Sequence, residues 1–395
     1  MTCILWFIVV VGGTTTLALM PSTTSTLTLG LMSGTSLDGV DAVLLSCGHA
    51  QLQCLAHLHQ PFAPALRHAL DALNQPGENE LHRAALAGNA LAECLAQAVH
   101  QLLQRTHTTP AQVAAIGAHG QTVRHQPGLH DGVGYTWQVL QPARLAELTG
   151  IDVITDWRAA DIAAGGQGAP LVPPFHRLAF GATNQALLVL NVGGFANLSV
   201  LRANGSVSGF DTGPGNTLMD AWCQRHRGQA YDANGQWAAS GQLQHDLLAR
   251  LLADPFFAQQ GPKSTGRDHF NLPWLQQHLA ALAESPSAVD VQATLLALTA
   301  RSVAQAITRQ AMPGTPVVVC GGGALNHALL AALAQALPGH NVHTSHAHGL
   351  APTAVEAAAF AWLAHRHVLG LPGNQPEVTG AKGLRVLGAR YPAPR

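Results

Sequence analysis

Residues 27–48 read LTLGLMSGTSLDGVDAVLLSCG, and the fold is decided there. An apolar run ends at Met32, glycines and hydroxyls crowd the next seven positions, and Val40, Ala42 and Leu44 then recur with the period of a strand. The stretch reads as strand, glycine-rich turn, strand. The same grammar returns at residues 186–213, ALLVLNVGGFANLSVLRANGSVSGFDTG. Two such hairpins, each opening a half of similar size, predict an architecture made twice.

Working outward, residues 66–73 and 80–105 carry apolar positions at helical spacing, and a buried strand, VAAIGAHG, follows Pro110. Residues 217–227, 241–252, 289–310 and 353–367 read as helices, and PVVVCGGG as a buried strand ending in glycine. Strands alternating with helices predict an α/β chain with mixed sheets. The halves should meet within residues 155–185, with a ligand cleft between them.

Composition narrows the function classes. Of 395 residues, 47% are hydrophobic and 10% charged, which suits more than one core and excludes extended disorder. Twenty Lys plus Arg against 21 Asp plus Glu, with no basic run, argues against a nucleic-acid partner. Lysine occurs only at Lys263 and Lys382, and 22 histidines make the charge sensitive to pH near neutrality. None of the six cysteines forms a C-x2-C pair, so a reduced, cytoplasmic chain without structural zinc is expected. Residues 4–11 are apolar, yet no Lys or Arg precedes them and the run is too short to cross a bilayer. Residues 1–26 are therefore expected to be an extension, with Met20 a candidate start, and no membrane partner is expected.

Several motifs carry chemistry. Gly30 to Gly39 holds three glycines with Ser33, Thr35 and Ser36, a set that can cradle an anion with backbone N–H groups. A tight hairpin is the plainer reading, and the G-x-x-x-x-G-K-[ST] pattern is absent. Asp211 ends a strand before a glycine turn, where it can act as general base or hold a metal–phosphate, or serve as a turn residue. Gly321, Gly322 and Gly323 offer a flat surface to a nucleobase, or a simple strand-to-helix turn. His119, Gln121, Asp156 and Arg158 supply hydrogen bonds for a hydroxylated, N-acylated or carboxylated ligand, against the alternative of a surface Asp–Arg pair. Residues 261–267, GPKSTGR, read as a cationic loop that closes on phosphate, or as a solvated loop. No H-E-x-x-H occurs, and no metal is assigned to the histidines.

Together, GLMSGTSLDGVDA, GAHGQTVRH, LAELTGIDVITDWR with AAGGQGAPLVPPFH, LNVGGFANLS, GFDTGPGNTLMDAW, GPKSTGR, CGGGALN and NQPEVTGAKG resemble the anhydro-N-acetylmuramic acid kinases, from about residue 30 to residue 388. The resemblance implies an α/β fold of two duplicated ribonuclease H-like, actin-like ATPase domains with mixed sheets around an interdomain cleft. The expected division is 27–160 plus 368–395 and 161–367. It implies ATP and Mg2+ as cofactors and 1,6-anhydro-N-acetylmuramic acid as substrate. Water would open the anhydro ring while O6 takes the γ-phosphoryl group, giving N-acetylmuramic acid 6-phosphate and ADP in peptidoglycan recycling, by a homodimer. Carried across by motif, Asp211 is the base and Glu356 a second carboxylate. Gly30, Leu31, Met32, Ser33, Gly34, Thr35, Ser36 and Leu37 hold phosphates, with Asp38 at the metal. Gly193, Gly194, Gly213, Gly215, Asn216, Gly321, Gly322, Gly323 and Ala324 border the nucleotide, and His119, Gln121, Asp156, Arg158, Lys263 and Arg267 bind the sugar. The chain departs from the family pattern at residues 139–141 and 351–353. The alternatives are a sugar or acid kinase of the same superfamily acting on a free hydroxyl, and an ATP-gated clamp, disfavoured because no peptide-binding domain follows Val378.

Overall fold

The computed structural model describes residues 25–48, 52–182, 184–260 and 263–394, and the backbone of 10–11 and 14–15. Most of the expected N-terminal extension lies outside them; the backbone of Val10–Val11 pairs antiparallel with Thr14–Thr15. Strands β1 (Thr26–Met32), β2 (Gly39–Cys47) and β3 (Leu52–Pro61) form an antiparallel meander. On the other side of β1, β4 (Val113–Ala118) and then β5 (Val153–Thr155) add in parallel.

The second sheet repeats this plan. β6 (Leu187–Val192), β7 (Phe195–Leu201) and β8 (Val207–Pro214) meander antiparallel, and β9 (Val317–Cys320) and β10 (Val342–Thr344) join β6 in parallel. Each sheet thus runs third, second, first, fourth, fifth strand, with β11 (Ala389–Tyr391) added antiparallel to β5. The duplication expected from the two hairpins is present in the order and direction of the strands. β6 and β9 are buried at every position, as strands covered on both faces must be, and they read as apolar runs broken only by Asn191 in β6.

Helices cover the sheets. α1 (Glu80–Thr106) packs on β2 and β3, α3 (Ala288–Gln310) packs on β8, and α2 (Thr217–Arg227) packs on α3. Ser287 caps α3, its hydroxyl accepting from Asp290 N–H. α4 (Val355–Val368) is apolar nearly all round and buried accordingly. Placed in the second half by the expected division, it lies on β1, β2 and β4 of the first sheet. Gly30 and Gly117, register partners in β1 and β4, make room for it. A Cβ at Gly30 would stand 1.8 Å from Ala357 O, and one at Gly117 2.1 Å from Phe360 O. One core cluster joins α4 to Val43 and Ala115 of the first sheet and Val189 and Val318 of the second. The helix expected from residue 241 begins at His245, and a hairpin the sequence reading missed, Gln121–Pro127 with Gly134–Val139, stands outside both sheets.

Candidate active site

The chain leaves β1 at Met32 and turns through residues 33–38 at the end of the strand. Three contacts fix this loop. Ser33 Oγ donates to Gly120 O at 3.1 Å, Gln121 Nε2 donates to Gly34 O at 3.2 Å, and Ser36 Oγ donates to Asp38 Oδ1 at 2.7 Å. Leu37 adopts a left-handed conformation with φ 56° and buries its side chain, anchoring the turn from below. Thr35 is left exposed at the tip. The second hairpin tip meets it: a Cβ on Gly194 would stand 2.5 Å from Thr35 Oγ1. Gly193 O accepts from Asn216 N, and Gly194 O from Gly215 N and Thr217 N, at 2.9 to 3.0 Å, which sets the turn into α2.

Not every expected phosphate or nucleotide residue lines this surface. Gly30 and Leu31 lie inside β1, where Gly30 meets α4 and Leu31 belongs to the core, so both serve packing. Gly321, with φ 80°, backs onto Asn191 and Val192, Gly323 onto Val192, and Ala324 is core. Gly213 faces the Phe257 ring. Exposed Gly322, near Asn216 Nδ2, remains of that glycine run as open surface.

The ionisable residues form a second group. Arg158 donates through Nε and Nη2 to His119 Nε2, at 3.2 and 2.9 Å, and through Nη1 to Gly168 O at 2.7 Å. An Nε2 that accepts two N–H groups carries no proton, so His119 is neutral and donates from Nδ1 to Gly120 O at 2.8 Å. Burial first, then Arg158, holds its pKa well below the ordinary histidine range. Burial also lowers the pKa of Arg158, opposed by the charges of Glu356, Asp211 and Asp161. Buried Asp161 fixes the neighbouring turn, accepting from Gly168 N–H at 2.9 Å and from Asn374 Nδ2 and Thr379 Oγ1 at 2.8 Å.

Asp211 projects from β8. Its Oδ2 accepts from Thr265 N–H at 3.0 Å, and its own N–H donates to Lys263 O at 2.9 Å. Burial pushes its carboxyl up to about 6, against the Thr265 hydrogen bond and the charges of Arg158 and Lys263. Burial likewise raises Glu356, opposed by Arg158 and a hydrogen bond with Asn191. Arg158 therefore stands between carboxylates from the second sheet and from α4.

Other expected residues are placed apart. Asp156 has φ 59° and an exposed side chain, and no hydrogen bond or ion pair joins it to Arg158. Lys263 and Arg267 diverge. Lys263 Nζ donates to Phe256 O at 2.8 Å, whereas Arg267 donates through Nη2 to Thr35 O and pairs with Asp71 at 3.5 Å, tying the second half to the first. Residues 261 and 262 of that loop lie outside the described residues.

Two residues escaped the sequence reading, as did the state of a third. Asp220, in the first turn of α2, is raised to about 7 by burial and then by the charge of Asp38, with Arg267 opposing. Its signal was its place one turn beyond the GPGN corner. His125 is lowered to about 4 by burial and then by Arg158. Gln121 was expected, but not its state: buried Oε1 has no partner among the described residues, a vacancy a ligand hydroxyl can satisfy.

Duplicated sheets meeting at two glycine hairpin tips, with a buried carboxylate and an arginine beside them, define the two-lobed actin-like ATPase architecture. Within it, the chain belongs to the anhydro-N-acetylmuramic acid kinase family, whose model matches residues 26–393. It is 56% identical to the anhydro-N-acetylmuramic acid kinase of Variovorax paradoxus, over 92% of this chain and 98% of that one. It is 54% identical to that of Pseudomonas putida, over 92% and 99%. Among solved structures, the activator of 2-hydroxyisocaproyl-CoA dehydratase from Clostridium difficile with bound ADPNP aligns with a TM-score of 0.45 at 12% identity, over 87% of this chain and 96% of that one.

Proposed function

We propose that this chain phosphorylates 1,6-anhydro-N-acetylmuramic acid with ATP while hydrolysing its anhydro ring. Water adds to C1 as the C1–O6 bond breaks, and O6 takes the γ-phosphoryl group, giving N-acetylmuramic acid 6-phosphate and ADP. The observation that carries this reading is Asp211, a carboxylate pushed up to about 6 and oriented by Thr265 N–H beside Arg158. A base that titrates near the working pH is suited to take the proton of the attacking water. Arg158, held by His119 and Gly168, is placed to pair with the lactyl carboxylate, and Gln121 Oε1 to accept from a sugar hydroxyl.

The loop 33–38 and the facing tip at Gly193 and Gly194 are assigned to the phosphates, and Gly322 with Asn216 to the nucleotide side. Asp38 and Asp220 fit a magnesium ion, since the charge of Asp38 adds to the burial that raises Asp220 and a cation between them removes that repulsion. Bound there, the metal would neutralise phosphate charge, a large part of phosphoryl-transfer catalysis. The setting assigned is the cytoplasm, in peptidoglycan recycling, as a homodimer. The free thiols of Cys47, Cys54, Cys94, Cys223 and Cys320 support a reducing compartment, and among the described residues no helix is long and apolar enough to cross a membrane.

The test is turnover in oxygen-18 water, with ATP, magnesium and the anhydro sugar, read by mass spectrometry. One heavy oxygen at the anomeric position of a sugar 6-phosphate is the expected product. Phosphorylation of a ring-opened sugar with none of the anhydro form would instead make this a kinase for a free hydroxyl.

A further inference from the structure

Behind the strand that carries Asp211 lies a cavity of about 240 Å3, whose lining includes Phe210, Thr212, Phe257, Lys263, Ser302 and Arg309. Strand alternation explains the arrangement: Phe210 and Thr212 line the cavity, and Asp211 between them faces away. Two cations meet in the cavity, and among the described residues no carboxylate lines it. Lys263 Nζ donates to Phe256 O at 2.8 Å and Arg309 Nη1 to Phe257 O at 2.9 Å. Both acceptors are neutral carbonyls, and although Lys263 Nζ also lies 4.2 Å from the centre of the Phe256 ring and feels the charge of Asp211 from the other face of the strand, no anionic group among the described residues lines the cavity itself. Burial and then the charge of Arg309 lower the pKa of Lys263, with Asp211 opposing. Paired cations at the wall of a concave site are completed by an oxyanion.

We propose that this cavity binds a phosphate-sized oxyanion between Lys263 and Arg309, as inorganic phosphate or as the phosphoryl group of a monoester, and that its occupancy feeds back on Asp211 through Lys263. The connection is short. Asp211 N–H donates to Lys263 O at 2.9 Å, and the Lys263 charge is one of those that oppose the effect of burial on Asp211. An anion beside Lys263 offsets that charge, so Asp211 holds its proton to higher pH and rate is lost at the acid end. Feedback rests on the reading of Asp211 as the base; binding does not.

The test uses the full chain saturated with a non-hydrolysable ATP analogue, so that the phosphate loop is filled. It is titrated calorimetrically with inorganic phosphate at constant ionic strength, with N-acetylglucosamine 6-phosphate as the monoester and chloride as the control. One saturable site is expected, weakened by about tenfold or more in Arg309→Gln and in Ala306→Leu, which fills the cavity. Both variants should still unfold cooperatively and keep the phosphate-free kcat at pH 8. Binding of the monoester too assigns the site to phosphoryl groups in general, and binding of inorganic phosphate alone assigns it to the free ion. Phosphate should also move the acid limb of kcat/KM up by about half a pH unit, an about twofold loss near pH 6, but not in Arg309→Gln. No saturable binding, or binding unchanged in both variants, overturns the site. Binding with an unmoved acid limb overturns the feedback. Binding by a chain that fails to turn over the anhydro sugar keeps the site and removes the proposed reaction.

Discussion

Two nitrogens of the Arg158 guanidinium converge on Nε2 of His119, at 3.2 and 2.9 Å, so the imidazole serves as a neutral acceptor that aims the arginine. Removing that acceptor leaves Arg158 charged but free to turn. His119→Ala should raise KM for the anhydro sugar about tenfold, the scale of one lost hydrogen bond to a charged group, with KM for ATP little changed. An unchanged sugar KM would remove His119 from that role.

Asp211 supplies a pH signature. A base must be deprotonated to act, so kcat/KM should rise with pH, level off above about 6 and fall below it. Asp211→Asn should lose about 10² or more in kcat with nucleotide affinity kept, and near-normal turnover would sink the assignment. Stability moves the other way. A carboxyl raised in the fold contributes stability below its unfolded value that is lost as pH rises through about 6. The Asn variant should therefore melt higher than the parent at pH 8 and lack this gain at pH 4.

Arg267 links the halves through Thr35 O and Asp71. The ion pair is largely exposed and worth about 0–1 kcal/mol, so Asp71→Ala should change little. Arg267→Ala loses the carbonyl contact as well and should raise KM for ATP about fivefold. Equal kinetics in the two variants would show that the Thr35 contact contributes nothing.

Asp38 and Asp220 face the same test from opposite halves. Asp220→Asn removes one proposed ligand and should raise the magnesium concentration for half-maximal activity about tenfold. Direct titration with manganese, followed by electron paramagnetic resonance, should show the same loss of affinity. Unaltered manganese binding would exclude Asp220 from the metal.

Glycines of one motif should separate by role. Gly30→Ala puts a methyl into the backbone of α4 and should cost about 2–3 kcal/mol of stability. At Gly34 the nearest atom, Ser36 Oγ, would be 3.7 Å from a Cβ, so Gly34→Ala should fold normally and any loss should appear in KM for ATP. Equal melting temperatures for the two would contradict the packing role of Gly30.

The duplication was legible because each hairpin combines strand periodicity with a glycine-rich tip, and both signals are local. Asp211 was legible for the same reason, as a carboxylate just before a glycine corner, although the strand does not end there as expected but runs on to Pro214. The side of α4 was not, since a helix such as Val355–Val368 that is apolar nearly all round between its charged ends has no periodic face to indicate its neighbour. Gly30 was misread because a strand glycine needed for close packing and a loop glycine needed for a ligand look alike in a run of letters. Asp220 was hidden by convention, since acidic residues are common in the first turn of any helix.

The core that α4 shares with Val43, Ala115, Val189 and Val318 bears on how the molecule can be taken apart. Cutting the chain between its halves would strip that helix from one wall or the other and expose a broad apolar surface on each piece. Separately expressed halves should therefore be insoluble alone and recover only when produced together, which makes the protein a natural candidate for split-enzyme complementation rather than for domain-by-domain study.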